Sequence, residues 1–306
     1  MASDAASRPT RPKARFGPVL TAMVTPFDDD DALDLDRAQN LARYLVANGN
    51  DGVVVAGTTG ESPTISFDEQ RELTVAVREA IPDHVLIAGA GSNDLRSAVK
   101  NTHMAAEAGA DGILAVTPYY NRPSQAGLEA HFRASAAETD LPVILYDIPV
   151  RTGRKISKEV LLSLAEIDNI VAVKDAAGNP GASAEIIAES DLQYYSGDDS
   201  QTLPLLAVGA VGVVGVATHW VGREMADMIA AFNDGKVAEA QRLNAVMLRS
   251  FAYETGDAAP NPVPTKALMN LIGVPVGQCR LPMGPAPGNQ DDLARAVLAD
   301  LGRSGV

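Results

Sequence analysis

A single cysteine among 306 residues excludes an internal disulfide and suits a reducing compartment. That residue, Cys279, lies in GVPVGQCRLP with no histidine nearby, so it reads as a structural thiol. Long apolar runs are also missing. None approaches the roughly 20 residues a bilayer crossing needs, which excludes a membrane span. The opening stretch, MASDAASRPTRPKARFG, has basic residues but no apolar segment of the kind a secretory signal requires. Residues 1–16 are therefore expected to be a disordered tail, and the protein cytoplasmic. Positive charge is scarce: 25 Lys and Arg stand against 39 Asp and Glu, for a formal net charge of -14. That balance argues against a nucleic-acid or anionic-membrane partner, although a local cluster of donors can still hold a small anion. The GAGSND segment at Gly89 lacks the third glycine of a dinucleotide fingerprint. His103 and Glu107 sit one helical turn apart without a third ligand, and Asp28-Asp29-Asp30-Asp31 lacks the alternating spacing of a calcium loop. Neither a metal nor an organic cofactor is expected.

What the chain has is repetition. Apolar runs begin at Val19, Gly52, Val85, Gly112, Leu141, Ile170, Leu192 and Gly212, and each is followed by residues at helical spacing. Continuous rather than alternating apolar strands are the mark of a parallel sheet buried on both faces. About eight such units in a chain of this length predict an α/β fold, a (β/α)8 TIM barrel over residues 17–233; an open doubly wound sheet is the competing topology. From Lys236 onward only helical patterns follow, broken by Pro-rich joints such as Ala259-Pro260-Asn261-Pro262, so residues 234–306 read as a C-terminal helical appendage.

In a parallel barrel the C-terminal ends of the strands open on one face, where active sites sit. The ends gather Gly57-Thr58-Thr59-Gly60-Glu61-Ser62, Thr117-Pro118-Tyr119-Tyr120-Asn121, Tyr146-Asp147-Ile148-Pro149-Val150-Arg151, Lys174-Asp175 and Ser196-Gly197-Asp198-Asp199. Each has an ordinary reading: a capped turn, rim tyrosines, a surface ion pair, a lysine solvated at a strand end and paired with Asp175. The other reading takes the set together. Small residues with free N–H groups and hydroxyls hold a carboxylate, tyrosines relay protons, and arginine grips a second carboxylate. Lys174, desolvated and neutral, then attacks a carbonyl. An α-keto acid is the substrate that uses all of them.

These residues resemble the pyruvate-dependent class I aldolases typified by dihydrodipicolinate synthase and N-acetylneuraminate lyase. GTTGES, VTPYYNRPSQ, the YDIP segment with Arg151, and VKDA occur in the family's order over about Gly17 to Gly284, and Arg151 with GTTGES and TPYYN resembles the dihydrodipicolinate synthase branch. The resemblance implies a pyruvate Schiff base on Lys174 and a proton relay of Thr58, Tyr146 and Tyr120, the last entering a neighbouring subunit's site. It further implies that Thr59 holds the pyruvate carboxylate, that Arg151 attracts the carboxylate of aspartate 4-semialdehyde, and that Gly197 and Val214 line the site. The implied reaction gives 4-hydroxy-tetrahydrodipicolinate, first committed step of diaminopimelate and lysine biosynthesis, in a homotetramer built as a dimer of dimers.

Two positions depart from the family's usual pattern: Asp147 stands where asparagine is usual and Gly215 where serine is. Lysine-sensitive members use two histidines and a glutamate at positions that here are Phe67, Gln70 and Ser97, so weak or absent lysine inhibition is expected. Two alternatives stay open on sequence: another pyruvate aldolase, acting on a sugar acid or hydroxy-keto acid, and a non-catalytic barrel that binds a keto acid.

Overall fold

The computed structural model describes residues 13–256 and 258–303; residues 1–12 of the expected tail lie outside that range. Eight parallel strands close into one barrel in sequence order: β1 Val19–Ala22, β2 Gly52–Val55, β3 Val85–Gly89, β4 Gly112–Val116, β5 Val143–Asp147, β6 Ile170–Asp175, β7 Gln193–Ser196 and β8 Gly212–Gly215. Closure is made by β1 against β8, with Leu20 opposite Val214, which settles the choice between a barrel and an open sheet.

Helices α1 Leu35–Ala47, α2 Phe67–Ala80, α3 Leu95–Glu107 and α4 Gln125–Ala136 cover the first four units. A short α5, Pro149–Thr152, precedes α6 Lys158–Leu164, followed by α7 Pro180–Glu189, α8 Thr202–Ala207 and α9 Thr218–Asn233. Their starts follow side-chain caps: Asp34, Asp94, Ser124, Ser157 and Asn179 each accept a backbone N–H of the first turn, and Ser66 with Glu69 forms a full capping box. Periodicity predicted α9 from Gly222; the helix starts at Thr218, and non-helical backbone at Val221 hides the first turn from the pattern. The α5 turn was not foreseen, since proline at its first position reads as a strand end.

The apolar strands bury both faces. Leu20, Val54, Ile87, Leu114, Ile144, Ala172 and Val214 fill the barrel interior. Val53, Leu86, Ile113, Leu145 and Val173 point the other way, onto the helices. Strand alternation therefore sends Tyr146 and Lys174 inward and Asp147 and Asp175 outward. Phe16 is also buried, its ring 6.5 Å from that of Tyr195.

The C-terminal segment supplies α10 Val237–Glu254, α11 Val263–Leu271 and α12 Gln290–Asp300. Their apolar faces join Trp220, Met225 and Ile229 of α9 in a second core. Among the described residues no helix is long and apolar enough to cross a membrane.

Candidate active site

Lys174 is the last inward-facing residue of the sixth strand, and it is only 3% exposed. Its Nζ lies 4.3 Å from the centre of the Tyr146 ring, on the neighbouring strand and directly opposite in register. Pairing with Asp175 is ruled out by geometry. That carboxylate faces the helices, accepting the Ser183 hydroxyl and, at 2.9 Å, the N–H of Ala177. Burial pulls the Lys174 ammonium down to about 8, against the attraction of Asp199 and Glu254 and with help from repulsion by Arg151. An amine so placed is largely free base at mildly alkaline pH.

Burial also raises the Tyr146 phenol above its usual range, opposed by the positive charge of Arg151 and a hydrogen bond from Thr58. It stays a proton donor throughout the working range. Thr58 and Thr59 ride the tight turn after β2, closed by Glu61 N–H to Thr58 O at 3.1 Å and Ser62 N–H to Gly57 O at 3.2 Å. Thr59 is buried, and its Oγ1 accepts the Asn261 side-chain amide at 2.8 Å. With that acceptor position filled, its own hydrogen is free to donate to an anion. Arg151, exposed on α5, reaches the Asn261 carbonyl at 3.3 Å. A side chain at Gly197 would crowd the lysine: a Cβ there would sit 3.0 Å from Lys174 Cγ. Val214 is fully buried in the barrel interior. Only Tyr120 stands apart, 91% exposed in left-handed backbone at φ 71.

The profile of the dihydrodipicolinate synthetase family matches residues 15–300. The chain belongs to this family. A 4-hydroxy-tetrahydrodipicolinate synthase of Acidothermus cellulolyticus is 51% identical over 292 residues, 94% of either chain. Among solved structures, a dihydrodipicolinate synthase of Bacillus anthracis matches at 42% identity and TM-score 0.90, covering 93% of this chain and 98% of that one. A second, from Cyanidioschyzon merolae with lysine bound, matches at 42% identity and TM-score 0.91, covering 94% and 99%.

Phe67 and Gln70, two of the positions where the sequence departs from lysine-sensitive members, are both engaged internally. Lys100 Nζ sits 3.6 Å over the Phe67 ring, and the buried Gln70 amide donates to the Gly89 carbonyl. A cationic ligand approaching Phe67 would meet a resident ammonium. Turnover is accordingly expected to be unaffected by sub-millimolar lysine; half-inhibition in that range would contradict this.

The departure at Asp147 has a different consequence. Its carboxyl is buried, accepts only Ile156 N–H at 3.3 Å among described donors, and lies beside Asp175 across the β5–β6 pair. Burial, opposed by the Ile156 bond and reinforced by Asp175, pushes it up to about 7. A folded value above the unfolded one means the unfolded chain ionises first, so stability falls as pH rises from about 4 to about 7. Asp147→Asn removes that loss while burying an amide, for a net gain of about 2 kcal/mol at pH 8 that fades toward pH 4. Urea unfolding at both pH values checks it.

Three contributors escaped the sequence reading: Glu254, Asn261 and Lys266. All three come from the C-terminal segment. The one available signal was Lys266 itself, the lone charged residue of Val263–Leu271. His103, considered there with Glu107, instead meets Glu138 at 3.1 Å.

Proposed function

We propose that the chain is a 4-hydroxy-tetrahydrodipicolinate synthase, condensing pyruvate with aspartate 4-semialdehyde through a Schiff base on Lys174. What carries the reading is the pairing of a buried amine, lowered to about 8, with the face of a tyrosine bonded to Thr58. The neutral amine attacks the C2 carbonyl of pyruvate, with the carboxylate held by Thr59 and its N–H neighbours. Tyr146 protonates the resulting alkoxide, recovers a proton from the newly bonded nitrogen, and then protonates the departing hydroxide, so that water leaves and an iminium forms. Loss of a methyl proton gives the enamine, whose carbon attacks the aldehyde. The new alkoxide takes a proton back from the relay of Tyr146, Thr58 and Tyr120. The product amine then attacks the imine carbon, closing the ring and releasing Lys174.

Arg151 meets the second carboxylate at the rim, and Gly197 and Val214 keep the floor narrow. Tyr120 completes the relay in a neighbouring subunit, a role that its exposure and outward backbone support, in a dimer-of-dimers homotetramer. A cytoplasmic setting, with 17–233 as the barrel and 234–306 as the helical extension, completes the reading.

The test is a coupled assay with each aldehyde. Aspartate semialdehyde should turn over and N-acetylmannosamine should not; the reverse pattern would replace this reading with a sugar-acid aldolase. Arg151→Ala should raise the KM for the semialdehyde by about 10-fold to 100-fold, the range for a lost charge-assisted bond, while the KM for pyruvate holds.

A further inference from the structure

The glycine at 215 and the buried end of α10 meet at one point beside Lys174. Asp199 opens the turn after β7 and is 1% exposed. Its Oδ2 accepts the N–H groups of Val216 at 2.7 Å and Ala217 at 3.4 Å. Its Oδ1 is buried and receives no hydrogen from any neutral donor among the described residues. The carboxyl of Glu254, 3% exposed at the C-terminal end of α10, lies within hydrogen-bonding reach of Asp199. Two carboxyl groups make such a contact, away from water, when one of them carries a proton. Gly215 provides the space. A Cβ at that position would lie 2.4 Å from Asp199 Oδ1 and 2.9 Å from Thr218 Cγ2.

We propose that Asp199 and Glu254 form a positioning pair for the Lys174 amine, sharing one proton so that a single negative charge stands beside the nitrogen. The inference rests on the Schiff-base reading and adds α10 to the active centre. Neither carboxyl touches substrate; both act through the lysine. The groups facing Lys174 are few: the Tyr146 ring from β5, the Arg151 charge from α5, and the two carboxyls, with Asp198 next to them in the same turn. His219, at the start of α9, is held neutral by burial and bonded at Val24 N–H and Val216 O. Burial favours the neutral amine, and the negative charge of the pair favours the ammonium; a second full charge would favour the ammonium further and hold back the nucleophile.

The experiment follows borohydride-trapped pyruvate adduct against pH in the intact oligomer, for the wild type and the isosteric double variant D199N/E254Q. The double variant should show its midpoint lower by about one pH unit, because the charge favouring the ammonium is gone. At pH 7 it then reacts at a larger fraction of its alkaline plateau than the wild type does. An adduct that forms with an unmoved midpoint overturns the pair and leaves the Schiff base standing; no adduct in the wild type overturns both. A second measurement is independent of the double variant's folding. The infrared difference between wild type and E254Q at pH 8 should contain one protonated-carboxyl band, and a flat difference there refutes the shared proton.

Discussion

Replacing Lys174 with alanine lowers kcat/KM by at least about 10,000-fold, the scale on which enzymes lose rate when the nucleophile is removed. No second amine can stand in: Lys266, the other buried lysine among the described residues, is bound to Glu61 at 2.7 Å. The loss is chemical rather than structural. Holding Lys174 at about 8 instead of 10.5 costs the fold about 3 kcal/mol near neutral pH. Deleting the side chain removes that cost and leaves a cavity worth about 2 to 3 kcal/mol in the other direction. The two nearly cancel, so the Tm of Lys174→Ala should stay within a few degrees of wild type. Steady-state rates and a thermal scan on the same preparation separate these outcomes; an inactive variant that has also unfolded would assign Lys174 to the core instead.

The largest effect on stability falls on Lys266→Met. Lys266 and Glu61 are each 1% exposed at the side chain, and the ammonium also donates to the Gln278 carbonyl at 2.9 Å and lies 4.2 Å from the Phe27 ring. Glu61 sits in left-handed backbone at φ 55, on the turn that carries Thr58 and Thr59. Its other oxygen accepts the Arg280 N–H at 3.0 Å, and the Cys279 thiol, pushed up to about 12 by burial, bonds to it as well. Methionine matches the volume of lysine but strands a carboxylate in a water-free site, a loss of about 3 to 5 kcal/mol. The same substitution loosens the turn, so the KM for pyruvate should rise along with the instability. Adding Glu61→Gln removes the stranded charge and should restore at least half of the lost stability. A double variant no better than the single one would show that the pair contributes through packing alone.

Much of this architecture can be read from one dimension because its physical cause is local. Val53 faces the helices and Val54 the barrel interior, and both are apolar because a parallel strand covered on each side has no polar face. The alternation that places Ala172 and Lys174 inward was equally present in the residues, and it decides against Asp175 as the lysine's partner. The C-terminal contribution was not legible. Glu254 reaches Asp199, Asn261 reaches Thr59 and Lys266 reaches Glu61 only because α10 and α11 fold back over the mouth of the barrel, and no periodicity records that return. Nor does any spacing announce that Gly215 leaves room for Asp199, since glycine at a strand end is common for many reasons. Tyr120 marks the other limit: the place proposed for it in the relay depends on a second copy of the chain.

The central claim is that the Lys174 amine forms the covalent bond to pyruvate. Borohydride reduction in the presence of pyruvate, followed by proteolysis and mass spectrometry, tests it most directly. One reduced pyruvate adduct per chain, on the peptide containing Val173-Lys174-Asp175 and absent from Lys174→Ala, is the predicted result. No adduct, or an adduct on any other lysine, would contradict it.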